Sequence, residues 1–561
     1  MTEGLYGELA RILSGDVHTD DETLQTYSTD TSLFTVQPQV VVSPRTVRDV
    51  CTLVSYADTH GTTLTGRSAG TGMDGGALSE GVVVDFGTYF KTIGTITADA
   101  DGTTGHVSVQ PGVFYRDFEK ETLKRNFLMP SYPASRELCM VGGMTANNAG
   151  GELTLRYGKV ENYVEQVKVV LSDGHEYTLA PLSHDALQKK LLQRDFEGDI
   201  YRQMYALVTG SQDIIQKARP KVSKNSAGYC LWNVYNREHD TFDLSKLFVG
   251  SQGTLGLITE TTFRLIRPSK HSVMVIMFLD SLETIGTYVA TTLTHKPTTF
   301  ESYDDKTLKL ALRFFWEFIK RLGVRNIFIL LFNSLGEGWS MICHGIPKLV
   351  LQVTFDGDDE SVLLSQAQQL VHDISPLSPR YSEVVSSSKE MAEYWLIRRE
   401  SFNLLRHKVQ GMKTAPFIDD IVVPPDVLTD FFPKLYAILE EYKQYMIHNI
   451  AGHIGNGNFH IIPLMDLTNE KARAIIPELS RRVYDLVLSY GGSITGEHND
   501  GIIRTPFLKQ QFGDDMYALF EKTKKIFDPK GIFNPGKKVP STRAGQPTGT
   551  LGYAMTHIKK G

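Results

Sequence analysis

Short runs of consecutive apolar residues punctuate the first 270 positions, each bounded by Gly, Pro or Ser. Val40-Val41-Val42 stops at Ser43-Pro44, and Val47, Val50, Cys51, Val54 and Ala57 then recur at helical spacing up to Gly61. An unbroken apolar triplet ending at a proline reads as a buried strand, and recurrence every three to four residues as an amphipathic helix. Thr46 with Asp49 three residues on is a capping box that starts this helix, and Gly61 suits its end. Residues 62–65 read as the next strand, a glycine-rich loop follows, and Val82-Val83-Val84 is a further buried strand. The order predicts an α+β domain over 36–268 that uses its loop for a ligand, after a polar helical lead-in over 1–35.

From His271 the texture changes. Strand, helix and strand are predicted over 272–279, 281–294 and 299–303, and again over 348–355, 360–374 and 381–386. Two β-α-β passages predict a second α+β domain, 269–490, resembling ferredoxin-like units. Between them Phe314, Phe315, Trp316 and Phe318 predict a helix over 304–322 with a core-facing aromatic stripe. A C-terminal segment, 491–540, follows. Residues 541–561, rich in Gly, Pro, Thr and Lys, read as a flexible tail.

Composition removes several classes. With 41% apolar and 22% charged residues in 561, the chain has the make-up of a globular protein of two to four domains. No apolar run reaches the ~18–20 residues of a membrane span, and Met1-Thr2-Glu3-Gly4 lacks a signal pattern. The expectation is a cytoplasmic protein, with peripheral contact on the inner face of a membrane left open. A net charge of −6 argues against nucleic acid. Cys51, Cys139, Cys230 and Cys343 are scattered, with no C-x-x-C pair, so neither a disulfide framework nor a four-cysteine cluster is encoded. Buried reduced thiols are expected.

Three glycine patches carry the first chemistry. Arg67-Ser68-Ala69-Gly70-Thr71-Gly72-Met73-Asp74-Gly75-Gly76 could present backbone amides to an anion, although it is neither a Walker loop nor G-x-G-x-x-G. Ser131-Tyr132-Pro133-Ala134-Ser135 precedes Val141-Gly142-Gly143-Met144-Thr145-Ala146-Asn147-Asn148-Ala149-Gly150-Gly151, and Gly250-Ser251-Gln252-Gly253-Thr254-Leu255-Gly256 comes third. Together these motifs resemble the FAD-linked oxidases of the vanillyl-alcohol-oxidase / p-cresol-methylhydroxylase superfamily, over about 27–537. The resemblance implies a two-domain fold: a PCMH-type FAD-binding domain and a ferredoxin-like cap, with a C-terminal helical return to the flavin. It assigns FAD to Arg67, Ser68, Ala69, Gly70, Thr71, Gly72, Ser135, Gly143, Asn148 and Gly151. Asn534, in the closing Asn-Pro-Gly-Lys, is implied to lie beside the flavin. The loop has no His or Cys, which favours noncovalent FAD. Ser68 and Ala69 depart from the family's glycines, and Gln252 from its glutamate.

His453 and His460 flank an Asn-Gly turn, and Glu497-His498 follows about 35 residues later. Two imidazoles and a carboxylate suit Zn²⁺ or Mn²⁺, but from spacing alone structural histidines are the simpler reading. The motifs resemble the glycolate oxidase flavoprotein, D-lactate dehydrogenase and D-2-hydroxyglutarate dehydrogenase branch. That resemblance implies His453, His460 and Glu497 as metal ligands, with Asn456 where the branch has Asp, and His498 as the base for the substrate hydroxyl. It places the substrate carboxylate on Arg399, with Arg398 as the alternative anchor. Asp419-Asp420 matches an acidic family position, while the family lysine for a distal carboxylate has no match. The implied activity is FAD-dependent oxidation of a small D-2-hydroxy acid to the 2-keto acid; the electron acceptor is not readable from the chain, with quinone, a flavoprotein, a cytochrome, a partner subunit and O₂ all left open. A homodimer is left open. The alternatives are a metal-independent FAD oxidase of another alcohol or sugar, and a non-catalytic flavin-binding subunit.

Overall fold

The computed structural model describes residues 2–307, 309, 345–408, 411–543 and 547–560. Phe314, Phe315, Trp316 and Phe318, and with them the expected aromatic helix, lie outside the described residues, as does Cys343. In the first domain the strands Val40–Ser43, Val82–Asp85 and Leu64–Arg67 run parallel. The first two are buried throughout, as strands covered on both faces must be. The helix Val47–His60 packs Val50, Leu53, Val54 and Ala57 into the cluster that holds Val40, Val42, Val82 and Val84. It begins at the Thr46–Asp49 capping box and ends on Gly61 at φ +77°.

The lead-in is not purely helical. Between the helices Thr2–Ile12 and Asp21–Tyr27, the strand Asp16–His18 adds antiparallel to Val40–Ser43 and completes the four-stranded sheet. A second sheet of five strands runs Thr97–Ala98, Thr104–Val109, Leu257–Ile266, Val164–Val170 and Glu176–Leu179, antiparallel throughout.

The two β-α-β passages combine into one sheet. Its first four strands lie in the order Tyr381–Val385, His271–Leu279, Leu349–Gly357, Thr299–Asp304, the 4-1-3-2 arrangement of a single ferredoxin-like unit. The hairpin Met446–His453 / Asn458–Met465 and the short strand Lys413–Thr414 extend this sheet, with Ile421–Val422 also paired to Asn458–Met465. Residues 492–495 form no strand; Ser493 makes a single bridge to Val422. Residues 541–561 are packed rather than loose in their described part. The helix Leu551–Thr556 is followed by a bridge from Ile558 to Phe34, and Ala554 and Ile558 are buried. Leu551, Ala554 and Ile558 form a helical-spacing triplet hidden by the tail's polar average. Cys139 and Cys230 are buried thiols, but Cys51 is half-buried.

Candidate active site

The turn at Ile454–Asn456, with Gly457 at φ +65°, folds the hairpin so that Ala451 pairs with His460 and His453 with Asn458. Directly opposed residues project to one face, and residues two apart in a strand share it. His453 and His460 therefore sit diagonally on the same face, with ring centroids 5.4 Å apart. The peptide Gly496–His498 is brought over that face by Asp420. Its Oδ2 accepts the backbone amides of Glu497 and His498, both at 2.8 Å, and the Thr495 hydroxyl at 2.5 Å. Its Oδ1 accepts Asn458 Nδ2 at 3.0 Å. The His460 and His498 rings stack 5.0 Å apart.

Each imidazole is oriented by a carboxylate behind it. Glu301 Oε1 lies 2.6 Å from His453 Nδ1; Asp419 Oδ1 and Oδ2 lie 3.1 Å from His460 Nδ1 and 2.7 Å from His498 Nδ1. The Nε2 atoms of His453 and His460 then face the Glu497 carboxylate, 3.4 Å from Oε1 and 4.0 Å from Oε2. Carboxylates that fix the far nitrogen of each imidazole are the usual support of a metal-ligating histidine. The donor set of two imidazoles and one carboxylate fits Zn²⁺ or Mn²⁺. A tighter group of Asp420, His460, Glu497 and His498 has ligand atoms within 4.8 Å of one another. Both Asp420 oxygens are consumed by four donors, however, so Asp420 is a scaffold for the turn, and His453 is the better third donor.

The buried charges set the protonation states. Burial works against the His498 imidazolium, but Asp419, with Asp420 behind it, outweighs burial and pushes the imidazole up to about 9. Asp419 is held well below the usual carboxylate range, against burial, by His498 and His460. Glu497 is likewise held far down, against burial, by Lys224 and His453.

Lys224 was not singled out from the sequence. It is fully buried, with Nζ in direct contact with Glu497 Oε1 and within 3.3 Å of Asn458 Oδ1 and 3.5 Å of Gly151 O. Glu301 was also missed. Neither lies in a recognisable motif; each meets its partner across more than 150 residues of chain.

The two arginines divide. Arg398 is buried, with Nη2 3.1 Å from Glu301 Oε2, so it stands behind His453. Arg399 reaches the other domain and pairs with Glu152 at 2.5 Å. The helix Ser388–Lys408 carries both.

The glycine patches assemble beside this cluster. The amides of Gly250 and Gln252 donate to Thr145 O and Ala146 O, and Asn499 Nδ2 donates to Asn147 O and Gly250 O. Gly150 runs so close to Glu497 that a Cβ there would lie 3.2 Å from its Cγ and Oε1. None of the backbone amides of residues 68–73 donates a hydrogen bond to a described residue. Asn148 Nδ2 is buried without a partner among the described residues. A run of unclaimed amides on a half-buried loop is a nest for phosphate oxygens, so Ser68, Ala69, Gly70, Thr71, Gly72 and Asn148 fit an FAD.

The other expected FAD contacts also make bonds within the protein. The Arg67 guanidinium turns away, donating to Tyr27 O and Thr29 O and stacking on the Tyr27 ring; it lies beneath Gly70 and braces the loop. Asn534 spends Nδ2 on Gly76 O and Gln252 O, while Oδ1 accepts the Thr65 hydroxyl, so it stitches the loop to the third patch. Ser135 caps a short turn, where its carbonyl accepts the amides of Leu138 and Cys139. Gly143 faces Ser68, and the Gly151 carbonyl accepts from Lys224. Gln252 donates to the buried Asp74 carboxylate and accepts from Gly501 N. A glutamate in its place would press two buried carboxylates together.

A glycine-lined dinucleotide cradle beside a cluster of oriented imidazoles defines a flavin-binding oxidoreductase scaffold. Residues 38–180 match the FAD binding domain, and residues 268–538 match the FAD linked oxidases, C-terminal domain. The chain belongs to the FAD-linked oxidases. It is 28% identical over 556 residues to a D-2-hydroxyglutarate dehydrogenase of Escherichia coli (strain K12), covering 94% of this chain and 50% of the relative. It is 24% identical over 518 residues to the glycolate oxidase subunit GlcD of Bacillus subtilis (strain 168), covering 91% of each. The chain thus spans about half the length of the hydroxyglutarate dehydrogenases it matches. Among solved structures, the 4-ethylphenol oxidase of Gulosibacter chungangensis superposes with a TM-score of 0.65 at 14% identity, over 96% of this chain and 97% of that one. At that identity the likeness is one of fold. No helix among the described residues is long and apolar enough to cross a membrane.

Proposed function

We propose that this chain oxidises a D-2-hydroxy acid to the 2-keto acid. The observation that carries the reading is the convergence of His453, His460, Glu497 and His498 on one buried face beside the glycine cradle, each imidazole backed by its own carboxylate contact. The names of the two relatives given above, a D-2-hydroxyglutarate dehydrogenase and a glycolate oxidase subunit, support it.

FAD, when bound, supplies the two-electron acceptor for the hydrogen on the substrate's Cα. A divalent cation would be held by His453, His460 and Glu497 and would supply Lewis-acid polarisation of the hydroxyl. The chain's own residues do the rest. His498 takes the hydroxyl proton at Nε2, since Nδ1 is committed to Asp419. Asp419 holds the ring in place and stabilises the imidazolium that results. Because Asp419 raises His498 to about 9, the imidazole carries a proton at neutral pH in the absence of other ligands. It must shed that proton first, and added positive charge on Glu497 favours the loss. Arg399 would take the substrate carboxylate on its two-pronged guanidinium.

The test is anaerobic mixing of the FAD-loaded protein with a panel of D- and L-2-hydroxy acids, following loss of flavin absorbance with and without chelator. Bleaching by D- but not L-acids, abolished by chelation and restored by Zn²⁺ or Mn²⁺, is expected. Bleaching by an alcohol or sugar that ignores chelator, or FAD that no hydroxy acid reduces, would replace the proposal.

A further inference from the structure

The fork of Arg399 is already filled by a carboxylate. Nη2 lies 2.5 Å from Glu152 Oε1 and Nε lies 3.3 Å from Oε2, a two-pronged pair of the kind a guanidinium makes with a free carboxylate. The pair joins the cap helix Ser388–Lys408 to the second glycine patch. Trp395 lies beneath the guanidinium at 5.0 Å, and the Tyr132 hydroxyl donates to Glu152 Oε1 at 3.3 Å. Glu152 is placed at the edge of the site: Gly150, two residues before it, packs on Glu497, and the Gly151 carbonyl meets Lys224. The side chains differ in exposure, 40% for Arg399 and 12% for Glu152, so the arginine can leave while the glutamate stays framed by its own domain. Arg398 cannot easily substitute, because it supports Glu301.

Resting on the hydroxy-acid reading above, we propose that Glu152 is an internal stand-in for the substrate carboxylate, which must displace it from Arg399 to bind. A single fork accepts one carboxylate at a time, so the protein discounts its own substrate affinity by the fraction of time the fork is open. A partly exposed two-pronged pair favours the closed form by about 3–10-fold. Release of Glu152 also removes one tie between the cap helix and the FAD-binding domain.

The experiment compares Glu152→Gln, Arg399→Met and the double variant, all FAD-loaded, by KM and kcat for the best D-2-hydroxy acid of the panel. Oxalate affinity, read from the perturbed flavin spectrum, is a second measurement that needs no turnover. Glu152→Gln should lower KM and the oxalate dissociation constant by about 3–10-fold, with kcat moving less. In the Arg399→Met background the same change should have no effect on either. An unchanged or raised oxalate constant in Glu152→Gln would overturn the proposal. So would equal tightening in the Arg399→Met background, which would mean general relief of negative charge. If no hydroxy acid reduces the wild-type flavin, the parent reading fails. The oxalate series still decides whether Glu152 competes for the fork.

Discussion

Replacing Asp420 by alanine tests whether the catalytic turn is held in place from behind. The carboxylate accepts four hydrogen bonds: the amides of Glu497 and His498, the Thr495 hydroxyl and Asn458 Nδ2. Alanine orphans three buried N–H groups, the two amides and one N–H of Asn458 Nδ2, whose other N–H keeps Ile421 O at 3.2 Å; only the hydroxyl can rotate elsewhere. At ~1–3 kcal/mol for each orphaned buried donor, the turn should lose at least about 3 kcal/mol, or ~10²-fold in its opening equilibrium. Asparagine keeps an acceptor for the three donors on Oδ2 and sacrifices mainly the Asn458 bond, a loss of about 1 kcal/mol. Hydrogen exchange of the peptide around residues 493–500 measures this directly. Exchange there should speed up ~10²-fold in Asp420→Ala and only a few-fold in Asp420→Asn, with the Val82–Asp85 strand unchanged. Flavin reduction by the hydroxy acid should slow by ~10² in the alanine variant, because His498 leaves its position. Wild-type exchange in Asp420→Ala, with flavin reduction within threefold of normal, would refute the reasoning.

Other expectations follow from the same geometry. His498→Asn should slow flavin reduction by ~10²–10⁴ in single-turnover mixing, the contribution of a positioned base. Dialysis against chelator should remove activity while FAD stays bound, and elemental analysis of the active protein should find about one Zn or Mn per chain. Asp419→Asn should shift the acidic limb of kcat/KM to lower pH, because the base must be unprotonated and the carboxylate that raises it is gone. The stability this pair adds follows the same signs. The raised His498 contributes fully below ~6.5 and loses its share as pH climbs through about 9. The depressed Asp419 contributes above ~3.9 and loses its share as pH falls. The stability gap between wild type and Asp419→Asn should therefore be widest between pH ~4 and ~6.5, read by thermal shift at fixed salt. Arg67→Met should release the loop from Tyr27 and Thr29 and raise the FAD dissociation constant about tenfold, measured by flavin retained after dialysis.

What the chain revealed before folding depended on how local each signal was. The capping box at Thr46–Asp49 and the stop at Gly61 are written within one helix, and the structure places both there. His453 and His460 were legible as a pair because a turn lay between them. Asp419 and Asp420 stood out only as an acidic position, since their partners come from the hairpin and from residues 495–498. Lys224 and Glu301 were invisible, because nothing adjacent in sequence marks a charge buried against distant groups. The two β-α-β passages were correctly periodic, but only long-range pairing shows them to be one sheet. Arg399 follows the family's pattern, yet pattern alone could not show that Glu152 already holds it. Average composition misled at the end of the chain, where Ala554 and Ile558 are buried and Ile558 bridges to Phe34.

The stitch made by Asn534 has a consequence for biosynthesis. It ties Gly76 to Gln252, so the phosphate nest near residue 70 acquires its final shape only after more than 450 further residues have been made. A nascent chain cannot seal in its coenzyme before residue 534 has emerged. A ribosome-bound intermediate or a fragment ending before residue 534 should emerge colourless, whatever the supply of flavin in the cell.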